Sequence, residues 1–450
     1  MILTKLFGFD PKITTIRKEI VAGITTFLTM SYILAVNPTL FSEISMPNGA
    51  VFTSTAIAGI IGCLAMAFIG KLPFGLAPGM GLNAFFVYTV CLGMGYSWQF
   101  ALTAVLIEGF IFIILTITNV REAIVNAIPV SLRHSIGAGI GLFIAFVGLQ
   151  SAGVVASDAH AVMSAGEPVI VGGEPLIESS TIVSLGNIVE GSGLLALIGI
   201  FITGFLFIKK IPGAILIGIL STMIIGIPMG VTEFRGVLSQ PESIKPIFCQ
   251  FEFDKIFTLD MLIVVFTFLF IDMFDTVGTL VSVCTKAGLA DKNGKIERLN
   301  QAFMADAIAT TAGACLGAST TTTYVESAAG VAQGGRSGLT ALVVGICFAI
   351  SLFFSPLFLS IPAAATAPAL VIVGLLMLEP IRNVPFSDFT ESLPAFICIL
   401  MMPLTYSISN GILLGMISYV LINVLCGKFK KLTPTMIILA ILFILKFKFF

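Results

Sequence analysis

Charge is what this sequence has least of. Asp, Glu, Lys and Arg make up 10% of the 450 residues, against 57% hydrophobic residues, and the mean hydropathy is +1.08. That balance leaves no room for a large soluble domain and predicts an all-α polytopic membrane protein, since each spanning helix takes about 20 apolar residues. Histidine is almost missing too. His134 and His160 stand far from any ligand cluster, so no zinc or haem site is expected. Of the eight cysteines, seven (Cys63, Cys91, Cys284, Cys315, Cys347, Cys398 and Cys426) lie in or beside apolar stretches without metal-ligand spacing, and only Cys249 falls in a loop; they read as small packing residues. No metal and no cofactor are indicated. A net charge of −1 names no partner and gives no sign of nucleic-acid binding. The opening MILTKLFGFDPKITTIRKE has Lys5, Lys12, Arg17 and Lys18 but no small-residue cleavage site after a short apolar core, so no removable signal is expected.

What is present is a succession of apolar stretches. They centre on residues 20–37, 51–70, 82–96, 99–119, 134–150, 191–208, 212–230, 259–285, 302–316, 324–334, 337–360, 364–379, 394–408 and 411–426, about fourteen segments. Alternating the connections puts Lys71, Arg121, Arg133, Lys209, Lys210, the stretch 286–298, Arg336, Arg382 and the 428–431 cluster on one side. That side, with the amino terminus, is expected in the cytoplasm. The opposite side receives residues 150–188, which carry Asp158, Glu167, Glu174 and Glu178 and no Lys or Arg. The apolar tail from 432 to 450 is open between spanning, lying along the interface and packing on a neighbour.

Two segments are too short and too polar for ordinary spans. LPFGLAPGMGLNAFF (72–86) is interrupted by prolines and glycines, and GASTTTTYVESAAG (317–330) holds four consecutive threonines. Proline cannot donate inside a helix and threonine favours extended backbone, so each is expected to begin extended and then turn helical. They are the third and the tenth of fourteen, which predicts two related seven-segment halves, 1–230 and 231–450. Interrupted segments at matching places in two halves point to a midplane binding site.

The acids then need a reason. FTFLFIDMFDTVGTL places Asp272 and Asp275 inside an apolar stretch, on roughly one face if the helix is regular there. With Asp306 and Glu326 they are four intramembrane acids, with no Lys or Arg in the same segments. At about 2.5–3.5 kcal/mol each on insertion scales, burying all four ionised costs on the order of 10 kcal/mol. Either they are protonated or bonded to backbone amides and hold the fold, or they bind solute and ions. Asn83 can donate and accept and fits either substrate contact or helix joining; most of the threonine run can be satisfied locally. GAGIG at 137–141 reads as close helix packing rather than phosphate binding.

APGMGLNAFF, FIDMFDTVGTL and GASTTTTYVESAAGVAQGGRSGLTA together resemble the nucleobase/cation symporter family of nucleobase-ascorbate transporter type, in its adenine, guanine and hypoxanthine permease branch. The likeness runs over nearly the whole chain and is most specific at the threonine run with Tyr324 and Glu326. It implies fourteen segments in two inverted repeats. The first four of each half form a core (1–119 and 258–360) and the last three a gate (120–230 and 361–427). It also implies import of purine bases with protons across the bacterial cytoplasmic membrane, with a homodimer left open. By the same resemblance Asn83, Asp272 or Asp275, Thr276 and Glu326 would contact substrate, with Asp272 and Thr276 favoured over Asp275. Asp272, Asp306 and Glu326 would couple protons. Glu326-Ser327 stands where xanthine- and urate-specific relatives carry Gln-Asn, which argues against oxidised purines.

An intramembrane aspartyl protease would also need two aspartates, but it normally carries Gly-x-Gly-Asp, and the chain has GMGLN at 79–83 instead. A transporter of another small solute on the same architecture is the other alternative; an anion carrier would be expected to place a basic residue near the site, and none is visible.

Overall fold

A computed structural model describes residues 2–118, 129–157, 183–286, 289 and 298–434, with short pieces of 159–179 and 436–444. Arg121, parts of the 150–188 loop, most of 286–298 and most of the tail lie outside the described residues.

Fourteen segments follow one another among the described residues. The first is broken, Ile16–Met30 then Ile33–Ser42. The second runs Asn48–Gly70, the fourth Trp98–Ile117, the fifth Val130–Ser151 and the sixth Gly191–Ile208. Then come Ala214–Gly226, Leu259–Lys286 and Leu299–Leu316 as the seventh to ninth. The eleventh is Gly338–Leu359, and the last three are Ala363–Met377, Phe389–Leu404 and Ile408–Leu425. Most begin or end within a few residues of the predicted stretches; the first extends further in both directions. Eight are long and apolar enough to cross a membrane.

The third and tenth segments begin as strands, as expected. β1 (Leu76–Pro78) leads into a helix from Met80 to Gly93, and β2 (Thr321–Thr323) precedes Ser327–Ala332. The two strands pair antiparallel with each other, Ala77 opposite Thr322. Flanking bonds are reciprocal: Gly79 N–H donates to Thr320 O and Tyr324 N–H to Gly75 O, each at 3.0 Å. Extended backbone inside hydrocarbon is tolerated only where protein satisfies its polar groups. Here each strand satisfies the other, with the Thr310 hydroxyl donating to Thr321 O (2.9 Å) and the Tyr324 hydroxyl to Pro78 O (2.6 Å). Gly79 has no side chain because a Cβ would meet Thr322 Cγ2 at 2.5 Å.

Around this crossing the helices pack in two groups. Segments 1 and 2 pack on 11, 2 and 4 on 9, and 4 on 8; segments 5, 6 and 7 pack on 12, and 5 on 13, which pairs with 14. In the second group the fifth helix uses its glycines as expected: a Cβ on Gly141 would stand 2.6 Å from Gly374 O, and one on Gly139 2.5 Å from Met402 Sδ, whereas Gly137 faces open space. Gly141→Leu should therefore force the fifth and twelfth helices apart, at a cost of about 1–3 kcal/mol by overpacking. The melting temperature of the detergent-purified protein checks this; an unchanged value rules the contact out as a support of that group.

The outward face is apolar, as lipid requires. Phe201, Phe205 and Ile208 line one stripe of the sixth segment and are 74%, 58% and 77% exposed. Residues 227–258 connect the halves and lie over the ends of the first group, with Cys249 N–H donating to Cys315 O and Glu252 N–H to the Thr103 hydroxyl. At the opposite end Asp388 caps the thirteenth segment through Thr390 and pairs with Lys428 and Lys431. The Thr390 hydroxyl and Lys431 hold its carboxyl well below the usual range. These lysines belong to the basic cluster expected in the cytoplasm.

Candidate substrate and proton site

The crossing of β1 and β2 distributes the predicted residues into three neighbouring clusters rather than one. The first surrounds Glu326, which stands at the start of the short helix Ser327–Ala332 and is 6% exposed. The Tyr32 hydroxyl donates to its Oε1 at 2.8 Å, and the rings of Tyr32 and Tyr324 lie 6.4 Å apart. Tyr32 reaches it because the first segment breaks between Met30 and Ile33. Asp275 is half-buried and interacts electrostatically with both Glu326 and Asp272.

The second cluster is centred on Thr276. Its hydroxyl lies 3.1 Å from Asp272 Oδ1, 3.2 Å from Asp306 Oδ2 and 2.7 Å from the Thr322 hydroxyl. All four residues are at most 1% exposed. A hydroxyl has one proton to give and two lone pairs, so Thr276 can donate to one acid only; the contact with the other is satisfied when that acid carries a proton and donates. Asp272, Thr276 and Asp306 thus form a place that can hold a proton. Although Asp272 and Asp275 are three residues apart on one helix, Asp272 meets the Thr276 hydroxyl, whereas Asp275 interacts electrostatically with both Asp272 and Glu326.

Asn83 belongs to the third cluster. Its amide donates to Asn37 Oδ1 (2.5 Å) and its carbonyl accepts from Ser319, while Asn37 donates to the Thr55 hydroxyl at 3.1 Å. It joins the first three segments to the residue that opens the tenth.

Reading the sequence alone missed Tyr32, Asn37, Glu19 and Glu108. Glu19 accepts from Arg336 N–H (3.0 Å) and the Thr340 hydroxyl (2.5 Å) at the start of the eleventh segment. Glu108 accepts from the Thr320 hydroxyl at 2.6 Å. Two acids within apolar helices were a signal available in the sequence, equal in kind to Asp272. No group of three or more His, Cys, Asp or Glu arranged to hold a metal ion occurs among the described residues.

Two interrupted segments crossing at the centre of two inverted repeats, ringed by buried acids and amides, are the arrangement of a membrane transporter's midplane site. The fold is shared with the transmembrane domain of a cyanobacterium bicarbonate transporter, BicA, at a TM-score of 0.63 and 17% identity over 89% of this chain and 97% of that one. The chain also matches the model of the Permease family over residues 17–414. It is 45% identical to the guanine/hypoxanthine permease PbuG of Bacillus subtilis strain 168, over 98% of this chain and 99% of that protein. It is 40% identical to the adenine permease AdeP of Escherichia coli K12, over 99% and 96%. The chain belongs to this permease family, of nucleobase-ascorbate transporter type. It is therefore a multi-pass membrane transporter and not an enzyme, which removes the aspartyl-protease alternative.

Proposed function

We infer that this protein imports unoxidised purine nucleobases, adenine or hypoxanthine and guanine, by proton symport with alternating access. The observation that carries the reading is Glu326, a buried carboxylate beside the crossing of the two strands and oriented by Tyr32. A carboxylate offers about four acceptor positions; Tyr32 occupies one, and purine N–H donors suit the others. Relatives at 40% and 45% identity named for adenine and for guanine and hypoxanthine support the substrate class.

Roles then divide by cluster. Glu326 and Asp275 face the base. Asp272, Thr276 and Asp306 hold the proton, and Asn83 fixes the third segment so that β1 meets β2. Burying an ionised acid costs several kcal/mol in hydrocarbon surroundings, so a core that moves loaded carries its proton with the base. Segments 1–4 and 8–11, the core of 1–119 and 258–360, would move against the gate of 120–230 and 361–427. The chain would lie in a bacterial cytoplasmic membrane with its amino terminus inside, as the positions of its Lys and Arg favour.

Uptake of radiolabelled hypoxanthine and adenine into cells lacking their own permeases tests the reading. A site that hydrogen-bonds its ligand rejects analogues that leave buried groups unpaired, so purines should compete roughly 10²-fold better than uracil. Equal inhibition by uracil and by hypoxanthine would count against a purine site.

A further inference from the structure

Glu108 is buried at 0% exposure in the middle of the fourth segment, and the roles above do not use it. The fourth segment comes close to the ninth beside it: a Cβ on Gly109 would stand 3.0 Å from the backbone nitrogen of Thr311. Glu108 Oε2 accepts the hydroxyl of Thr320, whose carbonyl in turn accepts Gly79 N–H in the strand crossing. Side chains alternate along extended backbone, so Thr320 and Thr322 project from the same side, and Thr322 bonds Thr276 between Asp272 and Asp306. One side of a single strand thus touches Glu108 with one threonine and the acid pair with the next on that side.

The titratable groups on the elements packed against the fourth segment are Asp306 and Cys315 on the ninth, Asp260, Asp272, Asp275 and Cys284 on the eighth, and Tyr88 and Cys91 on the third. The basic residue among those elements, Lys286, is the last residue of the eighth. The elements packed on the fourth segment thus carry several acids and one base, and where such groups lie close the charge on one acid is felt by the others.

We propose that Glu108 is a second proton-binding acid of the transport cycle, linked through Thr320 and the Thr322 side of β2 to the Asp272–Asp306 pair. Charged, Glu108 accepts from Thr320; when it takes up a proton the bond reverses, the acid donating and Thr320 accepting, and that proton leaves again to water when the cycle releases it. The inference rests on the proton-symport reading.

The test measures uptake of labelled hypoxanthine against external pH in proteoliposomes containing the full chain, with and without an imposed proton gradient. Gln in place of Glu108 keeps the size of the side chain and a carbonyl to accept from Thr320, so a Glu108 that stays protonated and only packs against Thr320 would leave the pH profile where it was. Removing a neighbouring negative charge weakens the hold of the remaining acids on their protons, so Glu108→Gln should move the midpoint of the profile by about one unit toward acid. Glu108→Asp should restore most of the wild-type profile. Thr320→Val, which removes the donor to charged Glu108 without removing the acid, should give a smaller shift toward alkaline and serves where Glu108→Gln fails to reach the membrane. Wild-type midpoints in Glu108→Gln and Thr320→Val, with the gradient still driving uptake, overturn the role of Glu108 alone. Wild-type uptake that ignores the proton gradient overturns the symport reading and this one with it.

Discussion

Glu326→Gln should leave a protein that inserts normally and yet fails to accumulate base against a gradient. Gln preserves the shape and still accepts from Tyr32 through its carbonyl, so the packing around Tyr32 and Tyr324 has no reason to change. What is lost is the charge that strengthens the bond to a purine N–H. Hydrogen bonds to a charged partner contribute about 1.5–3 kcal/mol, so binding of hypoxanthine should weaken about 10- to 100-fold. The amide can no longer titrate, so any proton that Glu326 contributes is lost as well. Binding by isothermal calorimetry and uptake in cells check the two parts separately. If the variant disappears from the membrane, Glu326 is a structural acid; if it accumulates base as the wild type does, Glu326 is not part of the mechanism.

Asp306→Asn acts on the other cluster and should separate exchange from accumulation. The asparagine amide donates permanently to Thr276, which then donates to Asp272, and the arrangement is closed without any proton to bind or release. The core can still cross in its satisfied form, so exchange of internal for external labelled base should persist. Net uptake should stop at equal concentrations on the two sides, because binding of base is no longer linked to binding of a proton. Exchange assays and counterflow in vesicles distinguish the two. Uphill accumulation by this variant would remove Asp306 from the proton path, and loss of exchange as well would mean that the charge on Asp306 is needed for the fold.

Much of this architecture was legible in the sequence because hydrocarbon imposes simple rules. Length and apolarity gave the segments, and Pro73, Pro78 and the four threonines marked the two places where a helix could not begin. What could not be read was which polar residues meet, since that depends on the crossing of chain separated by most of the protein. The threonine run shows the difference. Its extended conformation follows from β-branching, but that Thr320 reaches Glu108 while Thr322 reaches Thr276 follows only from the antiparallel register with β1. Tyr32 escaped for a similar reason: nothing local in SYILAVNP marks a break at Ser31–Tyr32 rather than at Pro38. Asp272 and Asp275 looked equivalent by spacing, and only the neighbouring helices set them apart.

The crossing of the strands also bears on how the protein is made. β1 is complete early in synthesis, but its backbone partners, Thr321–Thr323, lie in the other half of the chain. At about 5–20 residues per second the two strands emerge some tens of seconds apart. Throughout that interval the carbonyls of Gly75 and Pro78 and the N–H of Gly79 lack the bonds that make extended backbone acceptable in lipid. The third segment must therefore wait outside the hydrocarbon, at a protein-lined insertion site or against the second and fourth segments, until the tenth arrives. Insertion of this chain cannot proceed one finished helix at a time; its centre is assembled last, from pieces that enter first and late.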